Sequence, residues 1–272
     1  MRALEVIGIF RQVSPKVFEN TPMSACLRRD VPGSQWAFIR ILAPGWGYWD
    51  GYTEMLATLR TGRTALFETW GYDIWEHYRR SPEQWTVFNE AMRSMTAPMT
   101  PAVTAAYDWS QFPVIADIGG GIGTQLVDIL NAHPGSRGVL FDQAEVLSQA
   151  IKHDRVELVA GNFFEHIPVE ADAYVFRNII HDWDDRNSIA ILRTLRRGTK
   201  LMSRAILVEW AIPENSDFHI GKWTDITMMA AVGGRERTKS DFEKLFHESG
   251  FELVEIVPTG SMFSIVVGRP VA

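Results

Sequence analysis

The sequence predicts an α/β protein in which a seven-stranded, mostly parallel sheet follows a helical N-terminal part. Short β-branched or aromatic runs alternate with helical patterns after residue 105, which is typical of a parallel sheet with helices on both faces. The last two runs are separated by only a few residues around Gly260, too few for a crossover, so they should form an antiparallel hairpin. Residues 1–105 differ from the rest of the chain: they hold six of the ten tryptophans, and their pattern predicts helices and loops.

The elements can be assigned in chain order. The pattern of residues 2–22 predicts one helix followed by two short strands, which together resemble the last part of a small helical module. Strands are then expected at 114–118, 137–142, 156–160, 173–178, 204–210, 251–257 and 263–268. Helices are expected at 123–133, at 184–197 after an Asp cap, at 222–232, and at 239–250 after a Ser cap. The expected domains are residues 1–105 and residues 106–272.

Composition excludes several classes of protein. The formal net charge of −6 argues against a nucleic-acid partner, which would require a basic surface. No window approaches 18 uninterrupted apolar residues, and residues 1–12 lack the pattern of a signal peptide, so no membrane partner is expected. Cys26 is the only cysteine, which fits a reducing cytoplasm. No metal site is expected.

The segment "VIADIGGGIGT" (residues 114–124) ends a predicted strand with four glycines in five positions. Ligands of open parallel sheets bind beyond the carboxyl ends of the strands, and glycines let the backbone approach them. A nicotinamide fingerprint needs a third small residue, but Thr124 or Leu126 stands there. Asp117 would oppose a pyrophosphate but suits the cationic amino-acid end of S-adenosylmethionine. Asp142, which ends the next strand, suits the ribose of either ligand.

His181 follows the apolar run "YVFRNII" and precedes Asp182 and Trp183. We therefore expect it at the carboxyl edge of the sheet, on the same side as the glycines. An imidazole with an ordinary pKa of about 6.5 can accept the proton of an attacking phenol, whose pKa is about 10. Glu209 ends the following strand and can reach His181.

Several segments resemble, in their order, one protein family. They are "DIGGGIG", "FDQAEVL", "GNFFEHIP", "RNIIHDWDDRNSIAIL", "LVEWAIPE" and "GGRERTKSDFEKLFHESGF". Together they resemble the S-adenosylmethionine-dependent class I O-methyltransferases of the plant caffeate type and their bacterial natural-product relatives. The resemblance covers about residues 1 to 269, and the pair "HDW" and "GGRERT" is far more specific than the glycine loop.

The resemblance implies a Rossmann-like methyltransferase domain behind a partial winged-helix domain, in a homodimer. It assigns the cofactor to Gly119, Gly121, Asp142, Asn162, Phe163 and Arg177. It assigns the general base to His181, the acids that orient it to Glu209 and Glu236, and the substrate contacts to Phe88, Met92, Met95 and Met228. Asn162 departs from the family's usual Asp. The chain also begins roughly at the last helix and wing of the winged-helix module, so we expect a weaker dimer.

The expected function is O-methylation of a phenolic or enolic hydroxyl on a small aromatic or polyketide-like secondary metabolite. Three alternatives stay open. Relatives of this fold also use bound S-adenosylmethionine for decarboxylation, hydroxylation or pericyclic chemistry. A nicotinamide reductase is disfavoured by the missing third small residue, and a winged-helix DNA-binding protein is disfavoured by the acidic charge balance.

Overall fold

The computed structural model describes residues 1–272, which form two compact units, Met1–Pro98 and Met99–Ala272. The second unit begins before the predicted boundary at residue 105, because Val103 packs in its core. The functional assignment of the two predicted domains stays a prediction. No helix combines the length and apolar character needed to cross a membrane.

The first unit is mainly helical, with one short antiparallel hairpin and several connecting loops. Its elements are α1 (Arg2–Val6), β1 (Phe10–Ser14), β2 (Val17–Asn20), α2 (Pro22–Ala25), α3 (Trp36–Ile41), α4 (Tyr48–Thr53), α5 (Met55–Thr61), α6 (Ala65–Trp70), α7 (Ile74–Arg80) and α8 (Pro82–Thr96). The predicted opening helix and two strands are present, and β1 and β2 pair antiparallel. Buried apolar side chains from α6, α7 and α8, among them Leu66, Ile74 and Ala91, form the core of this unit.

The second unit alternates strands and helices. A short 3₁₀ turn at Ala97–Met99 leads into α9 (Thr100–Ala105), β3 (Val114–Ile118), α10 (Thr124–Ala132), β4 (Arg137–Asp142), α11 (Ala144–Leu147), β5 (Val156–Ala160), β6 (Ala173–Arg177), α12 (Asp185–Gly198), β7 (Arg204–Glu209), α13 (Gly221–Thr227), α14 (Lys239–Glu248), β8 (Phe251–Pro258) and β9 (Ser264–Pro270). Further 3₁₀ turns span Trp109–Gln111 and Ile180–Asp182, and a π-helix spans Met228–Val232.

The sheet has the order β5-β4-β3-β6-β7-β9-β8. Strands β3 to β7 pair in parallel, whereas β9 pairs antiparallel with both β7 and β8. The predicted seven strands and the closing antiparallel hairpin are therefore confirmed. Because β3, β4, β6 and β7 are parallel, their carboxyl ends lie at one edge of the sheet, and the residues that follow them share that edge.

The central strands of the sheet are buried on both faces, which explains why β6 and β7 read as nearly continuous apolar runs. Apolar side chains of α12 and α14 pack on one face, and those of α10 pack on the other. Each of these helices buries residues at helical spacing, for example Leu126, Ile129 and Leu130 on α10.

Two details of the helices differ from the sequence predictions. Helix α14 is capped by Thr238 and not by Ser240: the Asp241 N–H donates to Thr238 Oγ1, and the Thr238 N–H donates to an Asp241 carboxylate oxygen. This reciprocal capping box starts the helix at Lys239. The helix predicted over 222–232 is α-helical only to Thr227, and then widens into the π-helix that ends at Gly233, where φ is +83°.

Candidate active site

The glycine loop crosses from the end of β3 to the start of α10. Gly119, Gly121 and Gly123 adopt positive φ values of +69°, +62° and +85°, a conformation that L side chains rarely adopt. Gly120 is required for a different reason: a Cβ there would overlap the carboxyl group of Asp117. The loop therefore lies directly on Asp117, with no side chain of its own between the backbone and a ligand.

Asp117 is buried beneath this loop. Its Oδ1 atom has no hydrogen-bond partner, although the residue is only 2% exposed. Burial raises the pKa of Asp117 to about 7, against the attraction of the Arg177 guanidinium. A buried, unpartnered carboxylate oxygen is costly, so this atom fits a hydrogen-bond donor that a ligand supplies. The cationic amino-acid end of S-adenosylmethionine is such a donor.

Asp142, at the end of β4, anchors the same loop from the side. Its two carboxylate oxygens accept hydrogen bonds from the N–H groups of Gly121 and Gln143, at 2.8 and 2.7 Å. Burial raises the pKa of Asp142. The side chain stays partly exposed, so its remaining lone pairs can accept from a ribose hydroxyl.

The three other predicted cofactor residues differ in what they contact. Asn162 uses its side chain locally: Oδ1 accepts from the Phe164 N–H and Nδ2 donates to Glu165, both at 3.0 Å. Phe163 borders the glycine loop, since a Cβ at Gly119 would lie 3.6 Å from its ring. Arg177 points to Thr100 and Gln125, to which Nη1 donates at 2.8 and 2.9 Å. Burial lowers the pKa of Arg177 to about 10.

His181 lies in the 3₁₀ turn after β6, at the same edge of the sheet. Its Nδ1 atom is 3.0 Å from Glu236 Oε1 and 3.9 Å from Glu209 Oε2, and its Nε2 atom is 3.4 Å from Asp182 Oδ1. The structure thus brings together the predicted base and both predicted acids. Glu209 is 1% exposed and mainly supports the turn, because its Oε1 accepts the N–H groups of Ile179 and Ile180.

The electrostatics of this cluster differ from the sequence expectation of an ordinary histidine. Burial alone would lower the pKa of His181, but the charges of Glu236, Glu209 and Asp182 outweigh burial and raise the pKa to about 10. Burial raises the pKa of Glu209 to about 7 and that of Asp182 to about 6. The neutral imidazole is therefore an unusually strong base, because three acids stabilise the imidazolium that it becomes.

Glu236 belongs to a loop that packs directly on the His181 turn. A Cβ at Gly234 would overlap the carbonyl oxygen of His181, which explains the glycine at that position. The Arg235 N–H donates to the same carbonyl oxygen at 2.9 Å. The Glu236 N–H donates to Asp225 of α13, also at 2.9 Å. The "HDW" and "GGRERT" segments are thus two sides of one contact.

The predicted substrate residues fall on two elements. Phe88, Met92 and Met95 share one face of α8, at i, i+4 and i+7 spacing, in the first unit. Phe88 is buried and stacks on Tyr78 with ring centroids 4.6 Å apart, so it also serves that unit's core. Met228 is the buried first residue of the π-helix in the second unit. Their contact with a substrate stays a prediction.

The sequence interpretation did not assign a role to Asp182, Asp225 or Arg237. Asp182 was visible as the neighbour of His181 in "HDW", and Arg237 as the second arginine of "GGRERT". Asp225 carried no comparable signal, because its part in the site comes only from the approach of α13 to residue 236.

Comparison with known proteins identifies the family of this chain. The family model described as an O-methyltransferase domain matches residues 52–252. The chain is 37% identical over 278 residues to the phenazine O-methyltransferase PhzM of Lysobacter antibioticus, which covers 100% of this chain and 81% of that protein. The fold matches the crystal structure of LaPhzM with a TM-score of 0.92 and 37% identity, over 99% of this chain and 83% of the other. It also matches CalO1, a methyltransferase in calicheamicin biosynthesis solved in its SAH-bound form, with a TM-score of 0.85 and 32% identity, over 99% and 82% of the two chains.

Proposed function

This chain belongs to the O-methyltransferase family and is an S-adenosylmethionine-dependent O-methyltransferase; from that premise we propose that its acceptor is a phenolic or enolic hydroxyl of a small aromatic or polyketide-like secondary metabolite, and that His181 is the general base. The observation that carries this proposal is the contact of His181 with Glu236, 3.0 Å long, at the sheet edge that also bears the glycine loop. The family match supports methyl transfer over the reductase and DNA-binding alternatives.

The glycine loop, Asp117 and Asp142 are proposed to hold the cofactor. Asp117 offers its unpartnered oxygen to the ammonium group, and Asp142 offers its exposed lone pairs to the ribose. Phe163 and Asn162 are proposed to border the adenine, and Arg177 to hold Asp117 in its ionised form. The bound cofactor supplies an electrophilic methyl group on a sulfonium.

His181 acts on the acceptor. With Nδ1–H donated to Glu236, the lone pair of Nε2 is left to take the proton from the hydroxyl as its oxygen attacks. Glu209 and Asp182 stabilise the imidazolium that forms, and the proton then passes to solvent. Because the conjugate acid has a pKa of about 10, one proton must leave the resting site before the base can act.

The proposed substrate class rests on the relatives and on the kind of side chains predicted to contact it. A relative 37% identical to this chain is named for a phenazine substrate, a flat aromatic system. Met92, Met95 and Met228 are flexible thioethers that adapt to flat rings, and Phe88 adds an aromatic surface. We further propose that the enzyme acts in the cytoplasm as a homodimer, and the single cysteine is compatible with a reducing compartment.

The test is incubation with S-adenosylmethionine that carries a deuterated methyl group and a panel of hydroxyphenazines, naphthols, flavonoids and hydroxyquinones, read by mass spectrometry. We expect one labelled methyl group on at least one acceptor and none on its methyl ether, which serves as the control. Binding of S-adenosylhomocysteine without any labelled acceptor, or loss of carbon dioxide from an acceptor instead of methylation, would contradict the proposed reaction.

A further inference from the structure

The segment after Gly234 contacts the His181 turn through three consecutive residues. Arg235 does so through its backbone N–H, which donates to the His181 carbonyl oxygen at 2.9 Å. Glu236 does so through its carboxylate on Nδ1, at 3.0 Å. Arg237 does so through its guanidinium. The first two contacts position the backbone and the imidazole ring of His181. The third contact involves the residues on either side of the His181–Asp182 pair.

Arg237 is only 1% exposed, and its guanidinium donates to both flanks of the turn. Nη1 donates to the Ile180 carbonyl oxygen at 2.9 Å, and Nη2 donates to the Trp183 carbonyl oxygen at 3.0 Å. Ile180 and Trp183 are the residues directly before and after the His181–Asp182 pair. One rigid planar group therefore ties both ends of the dipeptide that bears the base.

The charge of Arg237 is balanced outside this turn. Asp185, at the start of α12, accepts from Nη2 and Nε at 2.9 and 3.2 Å. Nη2 also lies 3.0 Å from Ser188 Oγ, so its two hydrogens are shared among three acceptors. The Ser188 hydroxyl lies 3.2 Å from each of the same two carbonyl oxygens, of Ile180 and Trp183, and donates its single hydrogen to one of them at a time. Ser188 thus holds the turn as well. Loss of the hydrogen bonds from the Arg237 guanidinium should therefore displace the His181 turn without unfolding it.

We propose that Arg237 is a positioning residue for catalysis, whose fork holds the His181 turn so that Nδ1 stays on Glu236 and Nε2 stays directed to the acceptor. The inference rests on the proposed role of His181 as the base. Lysine cannot replace arginine here, because an ammonium group keeps the charge but lacks the planar fork that spans two carbonyl oxygens and a carboxylate. Small displacements of a catalytic group can lower a rate by about a hundredfold.

The test variant is Arg237→Lys, since it preserves the positive charge that pairs with Asp185. We expect its single-turnover methyl transfer to fall by about ten- to a hundredfold. Its affinity for S-adenosylhomocysteine in calorimetry should stay within about twofold, because the guanidinium contacts no residue of the glycine loop. The pH at which His181 titrates, followed by NMR of labelled histidines, should fall because the imidazole loses part of its contact with Glu236.

Two further variants separate positioning from general stability. Arg193→Lys is the matched control: its Nε and Nη2 atoms also donate to a backbone carbonyl oxygen, that of Glu248, but between α12 and the end of α14. We expect Arg193→Lys to keep the wild-type rate and the wild-type titration of His181. Arg237→Lys should lower the rate much less in the Glu236→Gln background, because the contact through which Arg237 acts is already weakened there.

The outcomes distinguish the two proposals. Two results would overturn the positioning role: a wild-type rate and a wild-type titration of His181 in folded Arg237→Lys, or a loss of rate in the Glu236→Gln background as large as in the wild-type background. Either result would leave the role of His181 intact as long as His181→Ala stays impaired. A wild-type rate in His181→Ala would overturn the role of the base and the positioning role with it. Circular dichroism and thermal melting of each variant establish that the compared proteins are folded.

Discussion

At the scale of single residues, His181 shows what a sequence can and cannot predict. Its identity as the candidate base follows from its place after an apolar strand and from the "HDW" segment. Its basicity does not, because Glu236 lies 55 residues further along the chain and meets the imidazole only through the packing of two loops. The expected ordinary pKa is therefore wrong, and three nearby acids raise the pKa of His181 to about 10.

This charge arrangement predicts the titration of His181. Because the acids stabilise the imidazolium, His181 should remain protonated well above its ordinary pKa of about 6.5. Glu236→Gln removes one negative charge and the acceptor at Nδ1, so the pKa of His181 should fall. Histidine NMR measures both proteins, with His181→Ala identifying the signal. Titration of His181 near pH 6.5 in the wild-type protein, unchanged by Glu236→Gln, would contradict this account.

At the scale of elements, strands were the most predictable part of the molecule. Buried parallel strands read as apolar runs, so the predicted 114–118 and 137–142 agree with β3 and β4. The first residues of helices and the change from α-helix to π-helix were less predictable. Thr238 displaced Ser240 as a cap through its reciprocal contact with Asp241, and no residue pattern signalled the π-helix at Met228–Val232.

The glycine loop yields a prediction at this scale. In Gly120→Ala the new Cβ would overlap Asp117, so the loop must move off the carboxylate proposed to bind the cofactor. We expect calorimetry to show S-adenosylhomocysteine affinity reduced at least about tenfold, or about 1.4 kcal/mol. Gly135→Ala is the control, because a Cβ there has no atom within 4 Å. Wild-type affinity in folded Gly120→Ala would show that the ligand does not depend on this loop.

At the scale of the whole molecule, the family and the second unit were accessible from sequence because they depend on ordered motifs and buried strands. The predicted homodimer stays a prediction, because assembly depends on surface side chains. In the first unit, Leu56 and Leu59 share one face of α5 and are 58% and 63% exposed. Val6 is 86% exposed. Exposed apolar side chains that adjoin one another, as Leu56 and Leu59 do on α5, offer a surface that another chain can cover.

We therefore predict a homodimer that forms through the first unit and dissociates on dilution. Light scattering across a dilution series should show the mass falling from dimer toward monomer. The double variant Leu56→Ser with Leu59→Ser should shift this transition to higher concentration, because it removes apolar area from the contact. Leu201→Ser, at an exposed leucine of the second unit, is the control and should leave the transition unchanged. A monomer at every concentration would refute the predicted dimer.

The central claim is that His181 removes the acceptor's proton during methyl transfer. Its most direct test is the single-turnover rate of His181→Ala on an acceptor that the wild-type enzyme methylates, beside His247→Ala, which alters an exposed histidine at the end of α14. We predict that His181→Ala lowers the rate by about 10²–10⁴ with nearly unchanged affinity for S-adenosylhomocysteine, and that His247→Ala keeps the wild-type rate. A wild-type rate in His181→Ala would contradict the account and leave positioning of the two substrates as the source of catalysis.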